Sequence, residues 1–172
     1  SRFTTLDESA RALLAAAFAT DVVDACLQTP EVGAVLVVSD DAEFAATLEA
    51  RGAAYCTDPG GGLNAALRHG ARDGSRKWPH LRPVALLADL PALRPADLSA
   101  ALAEAAAAPG PAFVMDADGT GTTLYTADSG DFDPRFGVGS AGAHSAAGAY
   151  ALDGSWPSLR RDVDDLGDLE AA

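Results

Sequence analysis

Hydrophobic and polar positions along this chain switch between a helical and an extended period. From Leu6 to Leu27, residues Leu13, Leu14, Ala17, Val22 and Val23 recur at near-helical spacing, with Thr5 or Asp7 placed to cap the start, which predicts an amphipathic helix. Val32–Val38 is a β-branched apolar run that gives way to Ser39-Asp40-Asp41, the mark of a strand followed by a helix start. A helix is then expected over Asp41–Arg51, stopped by Gly52, and a short strand over Ala53–Thr57. Asp58-Pro59-Gly60-Gly61-Gly62-Leu63-Asn64 opens a helix from Ala65 to about Asp73, and Gly74–Arg82 reads as a loop. A strand over Pro83–Ala88, a helix over Pro95–Ala108 and strands over Ala112–Asp116, Thr122–Thr126 and Gly148–Leu152 complete the pattern.

Strands alternating with helices at this spacing imply βαβ units in a three-layer, Rossmann-like α/β fold with a mostly parallel sheet. The unbroken apolar character of Val32–Val38 and Pro83–Ala88 fits strands covered on both faces. Ligands of such sheets bind beyond the carboxyl ends of the strands. Ser39, Asp58–Asn64 and Asp89 all fall at expected strand ends, so they should share one rim.

Composition narrows the picture. A chain of 172 residues with 48% hydrophobic content is expected to fold as a single domain over 1–172. No apolar run reaches the roughly 18 residues of a membrane span, and no signal peptide opens the chain, so the expectation is a cytoplasmic protein with no membrane partner. A net charge of −13 argues against nucleic-acid binding, which needs basic surface against phosphates. It leaves room for a nucleotide or a phosphate ester, because a divalent metal can invert the local charge. Homodimerisation is left open. Cys26 and Cys56 lack metal-type spacing and read as reduced core residues. The histidines form no ligand pattern: His69 falls in a helix and His80 in a Pro-rich loop, while His144 follows a Gly/Ser-rich segment.

The densest chemistry is at Arg160-Arg161-Asp162-Val163-Asp164. In an extended chain Asp162 and Asp164 point the same way, roughly 6–7 Å apart. Hard carboxylate oxygens at that separation suit Mg²⁺, with substrate phosphates completing its shell. Asp89, ending the strand before Leu90-Pro91, is the third candidate ligand. The same residues also fit a plainer reading, since Asp164 precedes Asp165-Leu166-Gly167-Asp168-Leu169 and could cap a helical turn. Gly60-Gly61-Gly62 can bring backbone N–H groups against a phosphate at a helix start, with Gly62 and Asn64 as nucleotide contacts, or can simply be a turn. Asp116-Ala117-Asp118-Gly119-Thr120-Gly121-Thr122-Thr123 is a tight turn whose N–H groups and hydroxyls suit an anion, although hairpin turns share that composition. In Phe136-Gly137-Val138-Gly139-Ser140, the glycines permit close approach and Ser140 can cap a short helix.

Taken in order, Asp89-Leu90-Pro91-Ala92-Leu93, Gly119-Thr120-Gly121-Thr122, Phe136-Gly137 with Ser140 and His144, and Leu159–Asp164 with Asp168-Leu169 make the chain resemble the 2-phospho-L-lactate guanylyltransferases of deazaflavin coenzyme F-420 biosynthesis, over essentially its whole length. The resemblance implies a GT-A-like nucleotidyltransferase fold with a mixed sheet. It implies transfer of GMP from GTP to a small phosphorylated three-carbon acid: phosphoenolpyruvate, 2-phospho-L-lactate or 3-phospho-D-glycerate. It carries the metal carboxylates onto Asp89, Asp162 and Asp164, with Mg²⁺ as cofactor, and the acceptor pocket onto Thr122, Gly137 and Ser140. Ala88 and Ala117 depart from the Gly and Arg common at those positions. Ser1-Arg2-Phe3 resembles the tail of a basic triphosphate loop, so a strand and loop of roughly 10–20 residues are expected ahead of Ser1. Two other readings compete: a related nucleotidyltransferase with a sugar phosphate or molybdopterin as acceptor, and a catalytically dead nucleotide-binding module.

Overall fold

The protein is described here by a computed structural model covering residues 7–161. Six helices and six strands occur among them: α1 (Glu8–Leu27), β1 (Leu36–Ser39), α2 (Ala42–Glu49), β2 (Ala54–Thr57), α3 (Leu63–Lys77), β3 (Val84–Leu86), α4 (Pro95–Ala107), β4 (Ala112–Met115), β5 (Thr122–Thr126), α5 (Ser140–Ala146), β6 (Tyr150–Ala151) and α6 (Pro157–Arg160). Asp7 and Asp41 start α1 and α2 by accepting the N–H groups of Ala10 and Phe44, at 2.7 and 2.9 Å. A side-chain oxygen at that position satisfies a donor that the helix itself cannot.

Several elements depart from their expected spans, among them β3 and β6, which are shorter than Pro83–Ala88 and Gly148–Leu152. Helix α3 continues through Gly74 to Lys77. Asp73 pairs with Arg76 and Lys77 at 2.8 Å each, one turn ahead, and these contacts support the final turn that Gly74 alone would have ended. The apolar run Val32–Val38 becomes a strand only from Leu36, because Val32 donates into a turn at Thr29 and the ladder with β2 begins at Val35, whose carbonyl accepts from Ala54 at 2.7 Å. Gly70 lets α3 lie directly on β1: a Cβ there would stand 2.7 Å from a Val38 methyl.

The strands form a parallel pair, β1–β2, and a four-stranded sheet in the order β3-β5-β4-β6. In the larger sheet β3, β4 and β6 run one way and β5 opposes them. That reversal follows from the short Asp116–Gly121 connection, which is too brief for the crossover a parallel pairing needs. One core lies between the sheet and helices α1, α4 and α6, around Val22, Leu90, Leu98, Val114, Leu124 and Leu159. A second gathers Phe113, Tyr125, Phe136 and Ala141 on the side of α5.

Between β1 and β3 lies a cavity of about 600 Å³. Its walls are residues 35–38 and 83–88, with α3 on one face and α1 and α4 on the other. Both cysteines are free. Burial pushes the Cys26 thiol up to about 12, whereas Cys56 is only half-buried and so is not the core residue the sequence suggested. No helix of the described residues is long and apolar enough to cross a membrane.

Candidate active site

The candidate residues lie in the loops after β1, β2, β3 and β5 and at the start of β5 itself. Asp58 joins two of them: its N–H donates to the Ser39 carbonyl at 2.9 Å and its carboxylate accepts the Gly60 N–H at 2.8 Å. Gly60, Gly61 and Gly62 hold φ of +76°, +86° and +85°, a run that only glycine adopts without strain. Gly62 then starts α3, its carbonyl accepting from Ala65 and Ala66. Gly61 and Gly62 are exposed, and a Cβ at Gly62 would meet nothing within 4 Å, so this helix start opens onto free space.

Asn64 is not turned toward that space. Its amide nitrogen donates to the Phe136 carbonyl at 2.9 Å, and its amide oxygen accepts the Phe136 N–H at 2.8 Å. One side chain thereby latches the glycine loop to a segment 72 positions away. His144 holds the same segment from below. Its Nε2 accepts the Arg135 N–H at 2.9 Å, which fixes the proton on Nδ1, where Thr122 Oγ1 lies at 3.0 Å. The imidazole is fully buried, stacked on Tyr125 with ring centres 4.7 Å apart and flanked by Phe113 and Phe136. Burial lowers its proton affinity below the ordinary histidine range.

Thr122, Gly137 and Ser140 are brought together through these contacts. Thr122 meets His144 of α5, Ser140 opens α5, and the Ser140 N–H donates to the Gly137 carbonyl at 3.0 Å. The side chains of Thr122 and Ser140 are buried, and Gly139 rather than Ser140 is the residue that caps α5. What faces outward is Gly137-Val138-Gly139, with Val138 wholly exposed and open space beside both glycines. The neighbouring turn is closed on itself. Asp116 accepts the Thr120 and Gly121 N–H groups at 2.9 and 2.7 Å, so those donors are not available to an anion.

Asp89 lies half-buried in the loop after β3. That loop is joined to α6: the Arg94 N–H donates to Ser158 Oγ at 3.0 Å, and Ser158 in turn donates to Asp97 at 2.7 Å. Arg160 fastens the end of α6, donating to the carbonyls of Met115, Leu152 and Gly154 at 3.1, 2.8 and 2.9 Å. The chain therefore reaches Arg161 beside the end of β4, bound to the loop that carries Asp89. Asp162 and Asp164 lie outside the described residues, among which no group of three His, Cys, Asp or Glu side chains is placed to hold a metal. The latching roles of Asn64, His144, Ser158 and Arg160 escaped the sequence reading. Only Asn64 gave a signal, as an amide at a glycine-rich helix start that can pair with both groups of one peptide unit.

No family model matches the chain. A phosphoenolpyruvate guanylyltransferase of Geodermatophilus obscurus is 54% identical over 161 residues, covering 92% of this chain and 72% of that protein. One of Salinispora arenicola is 50% identical over 162 residues (92% and 74%), and one of Streptomyces coelicolor 48% over 171 residues (98% and 80%). Among solved structures, a protein described as a nucleotide-diphospho-sugar transferase from Desulfovibrio desulfuricans G20 superposes with a TM-score of 0.68 at 18% identity, over 93% of this chain and 73% of that one. CMP:2-keto-3-deoxy-manno-octonic acid synthetase, solved with CTP, gives 0.58 at 14% identity, over 90% and 85%. These two are similar in fold.

Proposed function

The chain belongs to the phosphoenolpyruvate guanylyltransferase family, and from that premise we propose that it transfers GMP from GTP to phosphoenolpyruvate, releasing pyrophosphate, as a cytoplasmic step of coenzyme F-420 biosynthesis. The observation that carries this reading is 54% identity over 92% of the chain with a protein named phosphoenolpyruvate guanylyltransferase. The geometry supplies a division of labour consistent with it.

A phosphate oxygen of the acceptor attacks the α-phosphorus of GTP, the bond to the β-phosphate breaks, and pyrophosphate leaves with that electron pair. The attacking oxygen is already ionised at neutral pH, so no side-chain base is required. Two polyanions must instead be held in line. The open helix start at Gly61-Gly62 offers backbone N–H groups and the positive end of α3 to a nucleotide phosphate. Gly137-Val138-Gly139 offers exposed backbone to the acceptor. Asn64 fixes the spacing between these two stations, so its role is positioning rather than base reading.

The family implies Mg²⁺. The donor chemistry fits: Asp89 would contribute a hard oxygen ligand, and Asp162 and Asp164 follow Arg161 directly in sequence. We assign these three carboxylates to hold it. A bound Mg²⁺ would neutralise charge on the phosphates.

Pyrophosphate release with GTP and Mg²⁺, measured against phosphoenolpyruvate, 2-phospho-L-lactate and 3-phospho-D-glycerate, tests the reading. Mass spectrometry should detect a guanylylated product with phosphoenolpyruvate. Turnover only with CTP or with a sugar phosphate would transfer the assignment to a different nucleotidyltransferase, and GTP binding without turnover would favour the inactive module.

A further inference from the structure

The connection 127–139 between β5 and α5 contains no helix or strand, yet it carries the exposed backbone at Gly137-Val138-Gly139. Its polar attachment to the body is concentrated at two adjacent residues. Asn64 holds both peptide groups of Phe136, and His144 Nε2 accepts the Arg135 N–H at 2.9 Å. The ties from Ser75 to Ser129 and from Arg68 to Asp133 are exposed and add little. His144 also reaches Thr122 Oγ1 at 3.0 Å and the backbone of Ser140. One imidazole is therefore the common reference for the loop, for the start of β5 and for the start of α5.

The bond to Arg135 demands one protonation state. A backbone N–H can only donate, so Nε2 must be bare and the ring's single proton sits on Nδ1. A second proton would set Nε2–H against the Arg135 N–H, two donors with no acceptor between them. Phe113 of β4, Tyr125 of β5 and Phe136 of the loop enclose the ring. Burial raises the pKa of Tyr125 itself, which therefore stays neutral. Burial is also the largest influence on the imidazole and lowers its proton affinity; Arg135 lowers it further, while the Ser140 backbone and Asp133 oppose. The Asp133 carboxylate is already shared between Arg68 and Arg135, so it offers the ring little compensation.

We propose that neutral His144 is a positioning residue for the acceptor: by accepting the Arg135 N–H it fixes the place from which Gly137-Val138-Gly139 meets the phosphorylated acid, and gaining a proton releases that loop. Acceptor capture then weakens with acid, whereas the nucleotide station at Gly61-Gly62, on the other side of the Asn64 latch, is left in place. The inference rests on the reading of 137–139 as the acceptor's station and adds to it a residue that touches neither substrate. A histidine that merely filled the core would affect both substrates alike.

The test compares the wild-type chain with His144→Gln, whose amide oxygen can still accept the Arg135 N–H but cannot titrate, and with His144→Phe, which keeps a ring and loses the acceptor. At neutral pH His144→Phe should raise the KM for phosphoenolpyruvate roughly tenfold or more, with the KM for GTP hardly moved, and His144→Gln should restore most of the loss. Phosphoenolpyruvate has a titrating phosphate of its own, so the pH profile is read as the ratio of wild type to His144→Gln. That ratio of acceptor KM values should rise as pH falls below 6.5. Amide exchange at Arg135, Gly137 and Gly139, taken as the same ratio without substrates, should rise roughly tenfold or more over that range, and ¹⁵N shifts should show Nε2 bare at neutral pH. Equal changes in both KM values, a flat ratio, or a proton on Nε2 overturns the proposal. Absence of product from phosphoenolpyruvate, with the loop still loosening in acid, would count against the proposed function and support the clamp; a loop that does not loosen overturns the clamp whichever acceptor is used.

Discussion

Strands β1 and β5 invert what their sequences suggest. Leu36-Val37-Val38-Ser39 is the more apolar, yet none of its four residues is buried, whereas all five of Thr122-Thr123-Leu124-Tyr125-Thr126 are. The difference is position. β5 lies between β3 and β4 under helices on both faces, and its hydroxyls find partners inside: Thr122 with His144, and Thr126 with the Pro83 carbonyl at 2.9 Å. β1 has a strand on one side and the cavity on the other. Apolar sequence alone thus does not set burial; the strand's place in its sheet does.

The largest expected effect separates the two strands directly. Leu124→Ala should cost about 2–5 kcal/mol of stability in urea unfolding, because Leu124 is fully enclosed. Val37→Ala should cost less than half of that, and equal losses would end the distinction. Asn64→Ala comes next. It strips the partners from both peptide groups of a buried residue, for about 1–3 kcal/mol, and pyrophosphate release should fall by roughly tenfold or more while Asn64→Asp restores only the interaction with the Phe136 N–H. A stability loss without loss of turnover would reduce Asn64 to scaffolding.

A smaller effect should have the opposite sign. Thr123 Oγ1 is buried with no hydrogen-bond partner among the described residues. Thr123→Val keeps the shape and removes the stranded hydroxyl, so it should raise stability by about 1 kcal/mol. The mildest perturbation adds one proton. His144 titrates below its ordinary value of 6.5, chiefly through burial, with Arg135 lowering it further and Asp133 and the Ser140 backbone opposing. Between the folded and unfolded values the unfolded chain binds more protons, so stability is full above about pH 6.5 and declines as pH falls through that window. In His144→Gln this part of the pH dependence should vanish from thermal melts.

Local chemistry made much of this legible from sequence. Asp7 and Asp41 announced their helices because a cap acts within three residues, and the Asp116–Gly121 turn announced β4 and β5 because its glycine and carboxylate act on the backbone beside them. The end of α3 was misread because Gly74 outweighed the Asp73 pairs that follow it. The latch between Asn64 and Phe136 left no periodic trace, since contacts across 72 positions arise only once the strands are in order. Of the three carboxylates proposed to hold a metal, only Asp89 is among the described residues, and the proposal for Asp162 and Asp164 rests on their sequence pattern.

Eleven of the twelve basic residues are arginine, a bias that looks merely compositional until Arg160 is reached. Its guanidinium grips three carbonyls on two strand exits while lying over the Trp156 ring. An ammonium group could not span them, for it is a point donor and not a planar fork. A pull applied to the chain past Arg161 would therefore be borne by the backbone of β4 and β6 rather than by the four-residue helix α6. The chain at Arg160 is moored to the sheet as a rope is to a bollard, and Arg160→Lys would leave the same charge on a slack line.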